Sequence, residues 1–177
     1  MNRFVLLVVL ICSSSLAFAQ EVIINETNTN RLLTWDDFKG RSDNSSPHDA
    51  HTYWDLSYSM QGIYFKGDTA KIGSFSVKLE LNGKRSWVKK EKQSTYLLKH
   101  EQGHFDIGLI CQREVIRQLN NTVFFRSGFQ EKIQSIFSTI MQQYQLLGNT
   151  YDGETRHSMN PDAQERWNLF FAKELAK

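Results

Sequence analysis

The sequence predicts a single α+β domain in which a small antiparallel sheet packs on a long helix and two further helices follow. Residues 50–90 are rich in aromatic and β-branched side chains that partly alternate with polar ones, as in strands. After Glu91 the apolar residues recur at spacings of three and four, as in amphipathic helices. The 177 residues, 23% charged and 40% hydrophobic, suffice for one domain with a sizeable core and leave little room for a second.

The first 19 residues have the three parts of a secretory signal peptide. Arg3 supplies a positive charge, residues 4–11 are uniformly apolar, and Ala17-Phe18-Ala19 has the small-x-small form of a cleavage site. The apolar run is too short to cross a bilayer as a helix, and no later segment reaches the roughly 18 apolar residues that spanning requires. We therefore expect Sec-dependent export to the periplasm or beyond the cell. The mature domain is then residues 20–177, with no membrane span.

Charge and cysteine content narrow the function classes further. The 21 Lys and Arg residues against 19 Asp and Glu give a net charge of only +2, which gives no electrostatic support for nucleic-acid binding. Cys12 lies in the predicted signal peptide, so Cys111 is alone in the mature chain and cannot form an intramolecular disulfide. The domain must therefore be stabilised by its core or by a metal. The sequence does not indicate an oligomeric state.

In chain order, a short helical turn comes first and the sheet follows. Thr34 is suited to cap that turn and Gly40 to end it, and the polar residues 41–48 are expected to form a loop. Two turn signals, Lys66-Gly67-Asp68 and Asn82-Gly83, divide the β-rich residues, so we expect three or four antiparallel strands. The last hairpin is expected to pair residues 75–81 with residues 84–89 across Asn82-Gly83.

Three helices are expected after the sheet. The first covers about residues 94–119, and the second covers about residues 129–147 with Gly148 as its stop. The third is capped by Asn160, has Pro161 in its first position and runs to the C-terminus.

The first of these helices contains the sequence HEQGH at residues 100–104, an H-E-x-x-H motif. Four residues advance a helix by about one turn, so the imidazoles of His100 and His104 project from one face and can bind a single Zn²⁺. Glu101 lies beside that face, where it can accept a proton from a zinc-activated water and later deliver it to a leaving amine. Gly103 is a poor helix former, so its presence indicates that another group passes close to the backbone there.

A catalytic zinc needs a third protein ligand, and the residues after the second helix supply the candidates. The favoured ligand is His157, with Asp152 and Glu154 as competing alternatives. Asp152 is alternatively expected to accept a hydrogen bond from the distal nitrogen of a ligating histidine. Tyr151 is expected either to donate a hydrogen bond to the oxyanion formed during hydrolysis or to be a core aromatic.

Other positions suit the metal less well. Metzincin spacing needs a histidine where Ile110 stands, Asp106 points away from the motif's metal face, and Glu114 is about 15 Å farther along the helix axis than His104. His48 and His51 flank a loop and are expected to be solvated or β-edge residues, so they are not assigned to zinc.

Three motifs occur in order along the chain. They are LTWDDFKG at residues 33–40, HEQGHFDI at residues 100–107 and YDGETRH at residues 151–157. In this pattern the chain resembles the bacterial family described as domain of unknown function 922, from about residue 31 to residue 167. That family is described as predicted secreted zinc-dependent proteases, so the resemblance implies a zincin-like metallopeptidase. It also implies that Tyr151, Asp152, Thr155 and His157 act as a unit, although the family's last motif usually continues with glycine where Ser158 stands here.

Together these features predict an exported, zincin-like metallopeptidase that hydrolyses a peptide or protein substrate. Zinc is expected on His100, His104 and His157, with Glu101 as general base and acid. An edge strand above the helix is expected to hold an extended peptide by β-augmentation. The rival interpretation is a secreted, non-catalytic binding domain in which a fourth protein ligand, such as Asp152, closes the zinc site. An interaction domain without metal is a third possibility.

Overall fold

The computed structural model describes residues 17–177, which form an α+β domain with two sheets and three α-helices. This confirms the predicted α+β class and the number of helices. The strands are β1 (Ala17–Ile24), β2 (Thr27–Asn28), β3 (Ala50–His51), β4 (Trp54–Lys66), β5 (Thr69–Leu81), β6 (Trp87–Val88) and β7 (Phe124–Phe125). The helices are α1 (Thr95–Asn120), α2 (Phe129–Thr155) and α3 (Pro161–Leu175).

The larger sheet is mixed, which corrects the expectation of an antiparallel one. Its strand order is β2-β1-β5-β4, with β7 pairing with the start of β5. β4 and β5 are antiparallel along their whole length, but β1 runs parallel to β5 from Ala17 opposite Ser74 to Ile24 opposite Leu81. A parallel neighbour needs a long crossover, and the chain between β1 and β5 provides one because it contains the loop, β3 and β4.

One of the two turn signals in the β region marks a hairpin and the other does not. Lys66-Gly67-Asp68 joins β4 to β5, whereas the predicted hairpin across Asn82-Gly83 is wrong. β5 ends at Leu81, and β6 instead pairs with β3 in a separate two-stranded sheet. Gly83 serves close packing, since a Cβ atom there would lie only 2.7 Å from the carbonyl oxygen of Asp37.

The helices begin where the sequence predicts, but α2 ends later than expected. Ser94 caps α1 by accepting a hydrogen bond from the backbone N–H of Leu97, and Asn160 caps α3 in the same way. Gly148 does not stop α2, because fully buried Tyr151 and Thr155 continue the helix's inward face for two more turns. Residues expected in a loop therefore belong to the last turns of α2.

Two apolar clusters hold the domain together. The main core lies between the larger sheet and the apolar faces of α1 and α2. The smaller cluster joins all three helices and consists of Ile107, Ile110, Tyr151, Trp167 and Phe171. Within residues 17–177, no helix has both the length and the apolar character required to cross a bilayer.

The predicted signal peptide, residues 1–19, lies outside the described residues except for its last three. Those three residues begin β1 and pair with Ser74, Phe75 and Ser76. The predicted cleavage before Gln20 would therefore shorten β1 from its N-terminal end and leave five of its eight residues in place.

Candidate metal centre

The H-E-x-x-H histidines lie on one buried face of α1. His100 is 2% exposed, and its ring centroid is 5.1 Å from that of His104, one helical turn later. A Cβ atom at Gly103, between them, would collide with the Tyr151 hydroxyl and the Phe171 ring. The expectation that another group approaches the backbone at this glycine is confirmed. Glycine is required because α2 and α3 press against α1 here.

The last turns of α2 bring Asp152 against both histidines. Its Oδ1 atom is 3.3 Å from Nε2 of His100 and 3.0 Å from Nε2 of His104. Donor atoms of His100, His104 and Asp152 all lie within 4.8 Å of one another. Two donors that share a tetrahedral zinc at about 2.0–2.1 Å are about 3.3–3.4 Å apart. The three residues therefore have the spacing of ligands around one metal ion.

The hydrogen bond on the far side of His100 fixes how its ring faces Asp152. Nδ1 of His100 is 3.0 Å from Oε1 of Gln164, an amide oxygen that can only accept, so Nδ1 carries the proton. In a neutral ring Nε2 then presents a lone pair, and it presents it to a carboxylate. That arrangement repels unless a cation lies between the two atoms. A metal ion satisfies both groups, and so does protonation of the imidazole.

The pKa values of Asp152 and His104 are shifted because these side chains lie close together. Burial raises the pKa of Asp152, but the hydrogen bonds that His100 and His104 donate when Nε2 carries a proton outweigh burial and hold that pKa well below its ordinary value. Burial lowers the pKa of His104, yet its hydrogen bond to Asp152 and the charge of Glu101 raise it overall. The carboxylate is therefore ionised at neutral pH and available to a metal.

His157, the favoured third ligand from sequence, lies next to this group and is not one of its three members. Its Nδ1 atom is 3.4 Å from Oδ1 of Asp152, and its side chain is 46% exposed. Arg156, His157 and Ser158 all have positive φ, from 50° to 69°, so the chain reverses sharply after α2. Glu154, the other candidate, points away and accepts a hydrogen bond from the indole of Trp167.

Glu101 is buried and held by a residue that the sequence did not indicate. Its Oε2 atom accepts a 2.6 Å hydrogen bond from the hydroxyl of Thr52, which is also buried. Thr52 follows β3 directly, so the small sheet positions the carboxylate beside the two histidines. No sequence signal distinguishes Thr52 from other threonines in a β-rich segment.

Tyr151 does not have the position that the oxyanion role requires. It is 0% exposed, and its hydroxyl donates to the backbone carbonyl of His100 and accepts from Nε2 of Gln164. Its ring stacks on His100 at 4.7 Å, behind the metal-facing side. This burial corrects the oxyanion role and fits the alternative of a core aromatic. Gln164 was also missed, because a glutamine in the second turn of a helix carries no sequence signal.

All five histidines of the chain line one cleft of about 220 Å³. His51 is an exposed β3 residue, as expected of a β-edge position. His48 stacks on His157 with 4.2 Å between ring centroids, and it is half-buried where solvation was expected. Neither belongs to the three-residue metal group. The fold thus gathers residues from the loop, β3, α1 and the end of α2 around Glu101.

Comparison with known proteins places the chain in a family. Residues 26–158 match the model of the bacterial protein family of unknown function DUF922, so the chain belongs to that family. No curated protein and no solved structure matches the chain. The matched region includes His100, Glu101, His104, Asp152 and His157, and it ends before α3.

Proposed function

We propose that this member of the DUF922 family is an exported zinc-dependent peptidase. His100, His104 and Asp152 hold the zinc in this proposal, and Glu101 is the general base. The observation that carries it is the tetrahedral spacing of Asp152 Oδ1 from both histidine Nε2 atoms, in a cleft that also contains a buried glutamate. A purely structural metal site has no use for that glutamate.

The donor set fits zinc, which accepts imidazole nitrogen and carboxylate oxygen. When bound, zinc supplies Lewis-acid chemistry, lowering the pKa of water and polarising a carbonyl. Glu101 takes a proton from the attacking water and gives it to the leaving amine. The Thr52 hydroxyl holds one oxygen of that carboxylate, which leaves the other oxygen for proton transfer. Gln164 fixes the ring of His100 through Nδ1.

The substrate in this proposal is a peptide that lies along β3. The Asp49 carbonyl accepts from the backbone N–H of Lys89, so Asp49 and His51 direct their backbone groups toward β6. Ala50, between them, directs its N–H and carbonyl to the opposite side, where the described residues provide no neighbouring strand. An extended peptide can pair with Ala50 there, beside the cleft that Ala50 and His51 line.

A second candidate function follows from the position of His157. With Nδ1 only 3.4 Å from Asp152, a small movement would make His157 a fourth ligand and close the site. The protein would then be a zinc-stabilised secreted binding domain. The absorption spectrum of the Co²⁺-substituted protein separates the two, because added azide perturbs an open site and leaves a site with four protein ligands unchanged.

The deciding experiment combines metal content with hydrolysis. Purified wild-type protein and the Glu101→Gln variant are analysed by elemental mass spectrometry and assayed on a denatured protein substrate. We expect about one zinc per chain in both and loss of hydrolysis by a factor of about 10³ or more in Glu101→Gln. Absence of zinc in wild type, or equal hydrolysis by the two proteins, would refute the peptidase.

A further inference from the structure

Residues 84–92 concentrate positive charge in a chain that is nearly neutral. The segment reads KRSWVKKEK and contains five basic residues and one acidic residue, a net charge of +4. The whole chain carries +2, so the remaining residues sum to −2. The overall charge therefore conceals a basic segment with a tryptophan at its centre.

This basic segment borders the candidate metal centre. Trp87 is paired directly with His51, so both side chains are on the same face of the two-stranded sheet, with 6.4 Å between their ring centroids. His51 lines the cleft, and Trp87 is one strand farther out. Arg85 and Lys90 flank β6 at its two ends and are both exposed. A ligand that extends outward from the cleft over β3 therefore meets residues 84–92, which we call the basic rim.

The nearby acidic residues neutralise only part of the basic rim. Asp49 is 3.9 Å from the amine of Lys89 and 3.7 Å from that of Lys92. Lys84 borders a groove that also contains Glu26 and Glu80. Arg85 stacks its guanidinium 3.3 Å above the ring of Tyr53.

Among the described residues, Arg85 and Lys90 lack an acidic partner, as Lys84 does. Within the described residues, neither of them forms an ion pair. Both are free to meet a negatively charged ligand, and the small sheet holds them beside the cleft.

We propose that the cleft takes acidic polypeptide segments, whose carboxylates contact Arg85 and Lys90 on the β6 side of β3. This inference rests on the proposed peptidase function and adds the substrate class. Charge complementarity favours an anionic chain, and the side of Ala50 on which the described residues provide no strand favours one with a peptide backbone. Aromatic and basic side chains together also suit single-stranded nucleic acid, which the experiment therefore includes.

The test measures binding separately from hydrolysis, using the zinc-loaded Glu101→Gln chain. Fluorescein-labelled peptides of alternating Glu and Ala, Lys and Ala, or Gln and Ala, and a fluorescein-labelled single-stranded DNA, are titrated and followed by fluorescence anisotropy. The charge-removing variant is Arg85→Gln with Lys90→Gln. Its matched control is Lys66→Gln with Lys71→Gln, which removes two positive charges from the far end of the β4–β5 hairpin, about 40 Å along the strand from the cleft.

We expect the Glu peptide to bind most tightly and the Arg85/Lys90 variant to weaken it about fivefold, while the control pair changes it less than twofold. The preference should shrink as salt rises from about 0.05 M to 0.5 M. Equal binding of the three peptides, no binding of any, equal effects of the two variant pairs, or tighter binding of single-stranded DNA would each overturn the inference. Wild-type protein that hydrolyses none of the peptides, while still preferring the Glu peptide, would overturn the peptidase function alone.

Discussion

Two carboxylates, buried Asp37 before β3 and half-buried Asp152 in the cleft, have low pKa values for different reasons. Asp37 is 1% exposed and receives a two-pronged contact from Arg31 at 2.7 and 2.8 Å. It also accepts from the side chain of Asn25 and the backbone N–H of Thr34. Burial raises the pKa of Asp37, but these bonds outweigh burial and lower it overall.

Asp152 lacks such a permanent cation. The groups nearest its Oδ1 atom are three histidines, at 3.0, 3.3 and 3.4 Å, and a histidine, unlike an arginine, does not carry a permanent charge. Asp37 thus has a permanently charged partner within the chain. Asp152 gains a cationic partner only when a histidine is protonated or a metal ion binds. The comparison teaches that a carboxylate surrounded by histidines indicates a binding site, while a buried one opposite an arginine indicates structure.

Exchanging each carboxylate for its amide gives the strongest test of this comparison. We expect Asp152→Asn to weaken zinc binding by more than about 100-fold, because it removes the only anionic donor of the group. Asp37→Asn should leave zinc affinity within about twofold, since Asp37 takes no part in the cleft. Competition against a chromophoric chelator measures both. His157→Ala should cost about tenfold or less, and a loss as large as that of Asp152→Asn would make His157 the third ligand.

Folding stability, in contrast to zinc affinity, should respond to Asp37→Asn. Asp37→Asn should lower the free energy of unfolding by about 2 kcal/mol at pH 7, measured in urea without metal, because charged hydrogen bonds to a buried group are lost. Because the folded-state pKa of Asp37 is lowered, its contribution is complete above the unfolded pKa of about 3.9 and disappears as pH falls through the folded value. The free energies of unfolding of wild type and Asp37→Asn should therefore approach each other as the pH falls below about 4, and they should be equal once the pH is below the folded-state pKa. A gap that persists there would assign the loss to packing.

The sequence predicts the fold well where the pattern involves consecutive residues. It predicts the fold poorly where segments that are distant in the sequence come into contact. The apolar spacing and the caps locate α1 and α3, because both are properties of consecutive residues. The sequence pattern predicts a hairpin turn at Gly83 and a helix stop at Gly148, and both predictions are wrong. Residue 83 is glycine because Asp37 passes close to it, and Gly148 lies in open space within a helix whose buried face continues. Neither reason is visible in neighbouring residues.

The candidate site likewise contains residues that the sequence predicts and residues that only the tertiary structure identifies. His100, Glu101 and His104 follow from spacing alone, since one helical turn places them together. The third member of the candidate metal group depends on where α2 ends, and an α2 two turns longer than predicted brings Asp152 to the two imidazoles. Thr52, directly after β3, and Gln164, in α3, also reach the site, and only the tertiary arrangement identifies them.

A smaller effect is expected from substitutions of Gln164, the residue that orients the ring of His100 toward Asp152. Gln164→Met removes the acceptor that keeps the proton on Nδ1 with little change in volume, and it should weaken zinc binding about tenfold. Gln164→Glu keeps an acceptor at that position and should restore most of the affinity. The free energy of unfolding of the metal-free variants is measured in parallel. If affinity falls only in proportion to stability, Gln164 has a packing role and does not orient the ring.

The smallest expected effect concerns the reversal that places His157 near Asp152. Ser158 has φ of 69°, a conformation that costs a residue with a Cβ atom about 1 kcal/mol and glycine very little. Ser158→Gly should therefore raise the midpoint of thermal unfolding by about 2–4 °C, whereas Ser158→Ala, which keeps the Cβ atom, should not. The same reversal contains His157, whose Nδ1 atom is 3.4 Å from the carboxylate. If Ser158→Gly stabilises the fold while leaving zinc affinity unchanged, the metal site does not depend on the strain at Ser158, which is the result expected when Asp152 is the ligand.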